Sequence, residues 1–183
     1  MVQDSLPSAD ASDLSMPRFW SAAAKRASIA RALAAHLHPT TQSECFSAGL
    51  LQDMGVPVLA KVKKGKYGSV YRQWQNDPNA SLVGLEEEAF GYDHTRIGAL
   101  MIEEWDLPDY LAQTISGHHG IGDDCNVEPA IRLLALIRDS DEFDGIDALI
   151  QMGRDEFGLG ADDAEKILTK AIEDAEKLAQ VLN

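Results

Sequence analysis

Five residues of this chain are of types that could hold a metal ion: Asp53, His94, His118, His119 and Asp139. Imidazole nitrogens and carboxylate oxygens are the ligands of a hard or borderline divalent ion. A fixed ion of that kind acidifies a bound water and polarises a phosphoryl group. Each of these residues falls at or near the end of a predicted helix. Their spacing fits no local ligand motif, and a histidine near a helix C-terminus also suits the macrodipole. A second reading is a set of structural residues: a buried Asp–His contact would satisfy both groups and tie helices together.

A second cluster is basic. Lys61, Lys63, Lys64 and Lys66 lie together in a chain that is otherwise acidic. They read either as a solvated loop, or as an anion-binding site for a phosphorylated ligand or an acidic partner.

The elements that must position these residues are helical. Residues 1–16, rich in Ser, Asp and Ala, read as a flexible leader, and 17–183 as a single domain. From Pro17 to Leu37, Phe19, Trp20, Ala23, Ala27, Ala30, Leu33 and Leu37 recur at helical steps on one face. Thr41 and Glu44 form a capping box for a helix that runs to about Asp53, with Gly55 as its stop. Pro57 suits the first turn of the next segment. Gly65 and Gly68 are expected to punctuate the basic stretch, leaving short helical turns around Tyr71 and Trp74. Ser81 starts a helix that Gly91 closes, and Asp93 caps the next. Leu107-Pro108 opens another helix, ending at Gly117. Val127 to Phe143 is apolar on one side. Asp162 to Leu182 carries the clearest stripe, with Asp162 and Glu165 as a second capping box and Glu173–Lys177 as an i, i+4 pair. Gly49 and Gly98 read as sites of close helix approach, and Trp20 and Trp105 as apolar anchors. No alternating pattern of useful length suggests a strand, so the fold class is all-α.

Composition limits the partners. The 183 residues include 30 acidic and 16 basic side chains, a net charge of −14. That balance argues against nucleic acid, whose binding is driven by Lys and Arg, and against an anionic membrane surface. Apolar residues at 45% and charged ones at 25% are ordinary globular usage, which argues against wholesale disorder. Cys45 and Cys125 make no disulfide framework and suggest a reducing, cytoplasmic setting. Neither a membrane-spanning run nor a signal peptide is evident.

Several motifs occur in a telling order. Phe19-Trp20-Ser21 opens an Ala-rich helix, and Ala48-Gly49-Leu50-Leu51-Gln52-Asp53-Met54-Gly55 follows. Then come Glu86-Glu87-Glu88-Ala89-Phe90-Gly91-Tyr92-Asp93-His94-Thr95-Arg96-Ile97-Gly98-Ala99, Trp105-Asp106-Leu107-Pro108 and His118-His119. From Phe19 to Phe143 the chain resembles the HDOD domain, a bacterial signalling-output relative of the HD-type metal-dependent phosphohydrolases.

The resemblance implies a helical bundle of the HD/HDOD type. It also implies where the relatives' metal ligands would fall: an early His, an adjacent His-Asp pair and a later Asp. The early His falls near Ala22, which cannot ligate. The pair falls on Gln52-Asp53, so only its Asp survives. The later Asp falls on Asp139, with Asp141 close by, while His94, His118 and His119 fall where some relatives carry additional histidines. Two of the core ligands are absent, which reads as a retired site with no catalytic residue and no cofactor. The implied function is a non-catalytic signal-transduction module acting through a protein partner. The alternative is a residual phosphohydrolase or phosphodiesterase acting on a nucleotide or phosphoester. Its Fe, Mn or Zn ion would rest on Asp53, His94, His119 and Asp139. The family also usually carries a helical region before the Phe-Trp-Ser segment, whereas 18 residues precede Phe19 here. A bundle lacking those neighbours is expected to leave an apolar face open to a second copy or to a helical partner.

Overall fold

The computed structural model describes residues 14–120, 127–138 and 144–182, and among them there are helices and no strand. In chain order these are α1 (Met16–Leu37), a 3-10 turn (Pro39–Thr41), α2 (Gln42–Leu51), α3 (Gly55–Lys63), α4 (Gly65–Asn76), α5 (Leu82–Phe90) and α6 (His94–Glu104). They continue with α7 (Asp109–Gly117), α8 (Pro129–Leu134), α9 (Ile146–Phe157) and α10 (Ala161–Leu182). The contacts divide into two compact units. One takes residues up to Phe19 with Gln52–Ser116, and the other takes Trp20–Leu51 with Gly117 onward. None of the described helices is long and apolar enough to cross a membrane.

In the first unit, α3 packs on α6, α4 lies against α3 and α5, and α5 also meets α6. Its core includes Met54, Leu59, Tyr67, Ile102 and Ile115, all fully buried. The start of α6 follows the expected chemistry. Asp93 Oδ1 accepts the Arg96 backbone N–H at 2.9 Å and the Thr95 hydroxyl at 2.8 Å, which satisfies a donor that the helix itself leaves open. Ser81 does the same for α5, accepting from the Gly84 N–H at 3.2 Å. Gly98 lies where an added Cβ would come within 2.9 Å of the Ile115 side chain, so its bareness lets α6 approach α7.

Two expectations fail in this unit. Gly55 does not stop a helix; it begins α3, where a Cβ would sit 2.0 Å from the His94 carbonyl oxygen. The glycine is there because two backbones touch. Gly65 and Gly68 do not break the chain either, since α4 is continuous from Gly65 to Asn76. The break falls one residue earlier, at Lys64, which adopts φ 41°.

In the second unit, α1 buries Trp20, Ala23, Ala27, Ala30 and Leu33, as its periodicity predicts. Its small side chains admit α2 closely: a Cβ on Gly49 would meet the Arg26 carbonyl oxygen at 2.9 Å. Helix α8 packs on α2 and α9, and α9 packs on α10. The apolar stripe of α10 is buried at Ala164, Leu168, Ala171 and Ala175.

Local details differ from expectation here too. The Thr41 hydroxyl donates to the His38 carbonyl at 3.1 Å and lies 3.4 Å from Glu128, a carboxylate that also holds His38 Nδ1 at 3.0 Å. Helix α10 starts at Ala161, which puts Asp162 inside its first turn, where a negative charge suits the helix dipole. Lys177 pairs with Asp174 at 3.3 Å instead of with Glu173. Helix α8 is only six residues long, after which the Leu136 and Ile137 amides bond back three residues and the Arg138 amide donates to the Asp144 carbonyl.

Candidate functional site

The first turn of α6 carries the chemistry. His94 follows its cap directly and is fully buried. Its Nδ1 lies 2.6 Å from Glu86 Oε2, and its backbone N–H donates to the same oxygen at 2.8 Å. The other Glu86 oxygen, Oε1, accepts the Tyr67 hydroxyl at 2.6 Å. Glu86 is 0% exposed, so a carboxylate is kept in the interior by three donors from two other helices. Tyr67 is fixed in turn by stacking against Tyr71 and Phe90.

The far side of the His94 ring faces Asp53. Nε2 lies 3.5 Å from Asp53 Oδ1, an ion-pair distance when the imidazole is protonated. Burial works against the imidazolium, but the Glu86 hydrogen bond and the negative charges of Glu86, Asp53 and Asp93 outweigh it and raise the His94 pKa. Burial, and then Glu86, push the Tyr67 phenol well above its usual value, so this hydroxyl remains a donor. Burial alone would raise the Asp93 carboxyl, but its capping hydrogen bonds and the neighbouring His94 bring it below the usual range.

The sequence candidates divide accordingly. Asp53 and His94 meet within the first unit. Gln52, beside Asp53, is buried, and its Oε1 has no hydrogen-bond partner among the described residues. His118 and His119 belong to the second unit, just beyond the end of α7. His118 is buried, His119 is exposed, and their rings lie 4.1 Å apart. Asp139, like Asp141 and Cys125, lies outside the described residues. Lys63 lies over the rings of Phe90 and Tyr92, at 5.5 and 5.0 Å, while Lys61, Lys64 and Lys66 are exposed.

Sequence reasoning missed Glu86 and Tyr67 as parts of this arrangement. Glu86 was hidden in a run of three glutamates. The available signal was its place between Leu82 and Phe90 at four-residue steps, which puts it on the inward face of α5.

Taken by itself, the first unit offers the His94 imidazole and the Asp53 carboxylate, with Gln52 preceding Asp53 in the sequence. A catalytic metal centre needs about three protein ligands that hold the ion while leaving a position open.

Solved structures share the fold. A protein from Marinobacter aquaeolei VT8, provisionally named a signal transduction protein, is 20% identical with a TM-score of 0.73, over 98% of this chain and 42% of its own. A protein from Shewanella amazonensis SB2B, provisionally named a phosphohydrolase, is 19% identical with a TM-score of 0.73, over 97% of this chain and 68% of its own. The MmoQ response regulator of Methylococcus capsulatus str. Bath is 22% identical with a TM-score of 0.62, over 86% of this chain and 62% of its own. The chain thus spans less than half of the Marinobacter protein. No curated protein matches it. The HDOD domain family matches residues 1–121, from before the Phe-Trp-Ser segment to just past the paired histidines, and the chain belongs to that family.

Proposed function

We propose that this chain is a non-catalytic regulatory module of bacterial signal transduction, acting in the cytoplasm by binding another protein. The observation that carries the reading is the Tyr67–Glu86–His94 network. His94, 3.5 Å from Asp53, is committed through Nδ1 and its backbone to a buried carboxylate that also holds a tyrosine. Such a network ties α4, α5 and α6 together, the role that buried polar groups most often serve. Ala22 and Gln52 supply no imidazole where the hydrolytic relatives have one. The remnant of the metal site then acts as scaffold for a surface that a partner reads.

A residual phosphohydrolase is the second reading, and one observation favours it. A carboxylate on one ring nitrogen is how metal-bound histidines are commonly oriented, and Glu86 holds His94 in that way. His118, His119 and Asp139 would be further ligand candidates from the sequence. The two readings separate in one experiment. Protein purified without chelator is analysed for iron, manganese and zinc, then assayed on a panel of phosphoesters and nucleotides with each metal added. Substoichiometric metal and no turnover is the expected result. Stoichiometric metal lost in Asp53→Ala, together with turnover lost in the same variant, would overturn the proposal.

A further inference from the structure

The elbow between α3 and α4 gathers Lys61, Val62, Lys63, Lys64 and Lys66. Among the described residues, none of these four lysines pairs with a carboxylate, although the chain carries 30 acidic side chains. Setting the four aside leaves −14 less four, or −18, on the rest of the protein. Val62 stands 65% exposed among them, the most exposed of the large apolar side chains described. Lys63 is held over Phe90 and Tyr92, so its charge is fixed in place and its ordering cost is already met. Lys64 holds the turn at φ 41°, a conformation that side chains rarely take and that persists only where the surroundings impose it.

We propose that this elbow is the docking surface for an acidic segment of a partner protein, one that carries an apolar side chain to cover Val62. The inference rests on the reading of the chain as a protein-binding module and names the partner chemistry. Charge complementarity selects the occupant. An acidic segment is drawn to this patch and turned away elsewhere, which fixes where it lands. A nucleic acid would carry its charge past the patch onto a surface of −18 and be repelled. A free phosphate would leave Val62 uncovered. Of the rings beneath Lys63, Phe90 ends α5 and Tyr92 lies in the link that leads to Asp93 and His94. A segment seated on Lys63 therefore bears on the same link as the buried network.

The test uses the full chain and a fluorescent acidic peptide of alternating glutamate and leucine, with a glutamine-for-glutamate analogue as control. Anisotropy should report binding of the acidic peptide at low salt and weaker binding as salt rises. The triple variant Lys61→Glu, Lys64→Glu, Lys66→Glu should weaken it by at least about tenfold, because each change replaces an attraction with a repulsion. Val62→Ser should weaken it without altering the salt dependence. A control reversal on α10, Lys166→Glu with Lys170→Glu, should leave it unchanged. These sites are exposed, and circular dichroism checks that each variant folds. Absence of binding, equal binding of the glutamine analogue, or equal loss in the α10 control overturns the proposal. So does tighter binding of inorganic phosphate or a duplex oligonucleotide at the same lysines, or self-association abolished by the triple variant. Those failures leave the module reading intact, since that reading stands or falls on the metal and turnover assays.

Discussion

Glu86 is the residue whose loss the fold should tolerate least. Its two oxygens take the Tyr67 hydroxyl, the His94 ring and the His94 amide, all within 2.8 Å and all buried. Glu86→Ala orphans all three donors, and removing one partner of a buried charged pair costs about 3–5 kcal/mol. Tyr67→Phe removes a single charge-assisted bond and should cost about 2 kcal/mol. Urea unfolding of both variants checks the order; equal midpoints would show that the network contributes little. The same site sets a pH dependence. The folded His94 pKa is raised above its unfolded value of about 6.5, so the folded state favours the imidazolium. Its contribution is fully present below about 6.5 and is lost as pH rises through the folded pKa. Unfolding measured across that window should show a falling limb in the parent that His94→Asn flattens; parallel curves would refute it. At this scale the sequence disclosed Asp93 as a cap and Asp53 with His94 as a candidate pair, because those rest on local chemistry. Glu86 and Tyr67 stayed hidden. The four-residue steps from Leu82 and Phe90 mark the inward face for Glu86, but nothing local names its partner, and the 19 residues between it and Tyr67 are bridged only by folding.

Glycines show how much of an element can be read in advance. Gly98 and Gly49 were legible as points of close approach because each sits within an apolar helical pattern. Gly55 was not, since a glycine after a helix looks the same whether it ends that helix or begins the next under a neighbour's backbone. The difference is measurable. Gly55→Ala drives a Cβ to 2.0 Å from the His94 carbonyl oxygen, an atom fixed within α6. Overpacking of this kind costs about 1–3 kcal/mol or more, and it should loosen the start of α6 along with His94. Gly65→Ala meets nothing within 4 Å, and helix propensity favours alanine, so it should be neutral or stabilising by up to about 1 kcal/mol. Thermal melts that moved together for the two variants would contradict this account. The break at Lys64 escaped the sequence for a related reason: a lysine gives no hint of positive φ, and the two glycines after it drew attention away. The brevity of α8 was equally invisible, because an apolar stripe records burial and not where the hydrogen-bond ladder stops.

Charge organises the molecule as a whole, and it was the property most fully legible beforehand because it needs no fold. An excess of 14 negative charges sets how any two copies meet. The expected open apolar face would favour self-association, but the large exposed apolar side chains among the described residues are Val62, Leu100 and Tyr110, on three different helices. Like charge opposes bringing two copies together, and salt screens that repulsion over about 8 Å at physiological strength. Pairing of copies should therefore strengthen as salt is added, whereas docking of an acidic segment on the elbow should weaken. Sedimentation equilibrium over a range of protein concentrations, at low and at high salt, reads the first trend, and the peptide titration reads the second. Opposite salt slopes would mark two separate surfaces, one closed by burial and one by charge. A monomer at every concentration and salt would remove the second copy as a partner and leave the basic elbow as the remaining route of association.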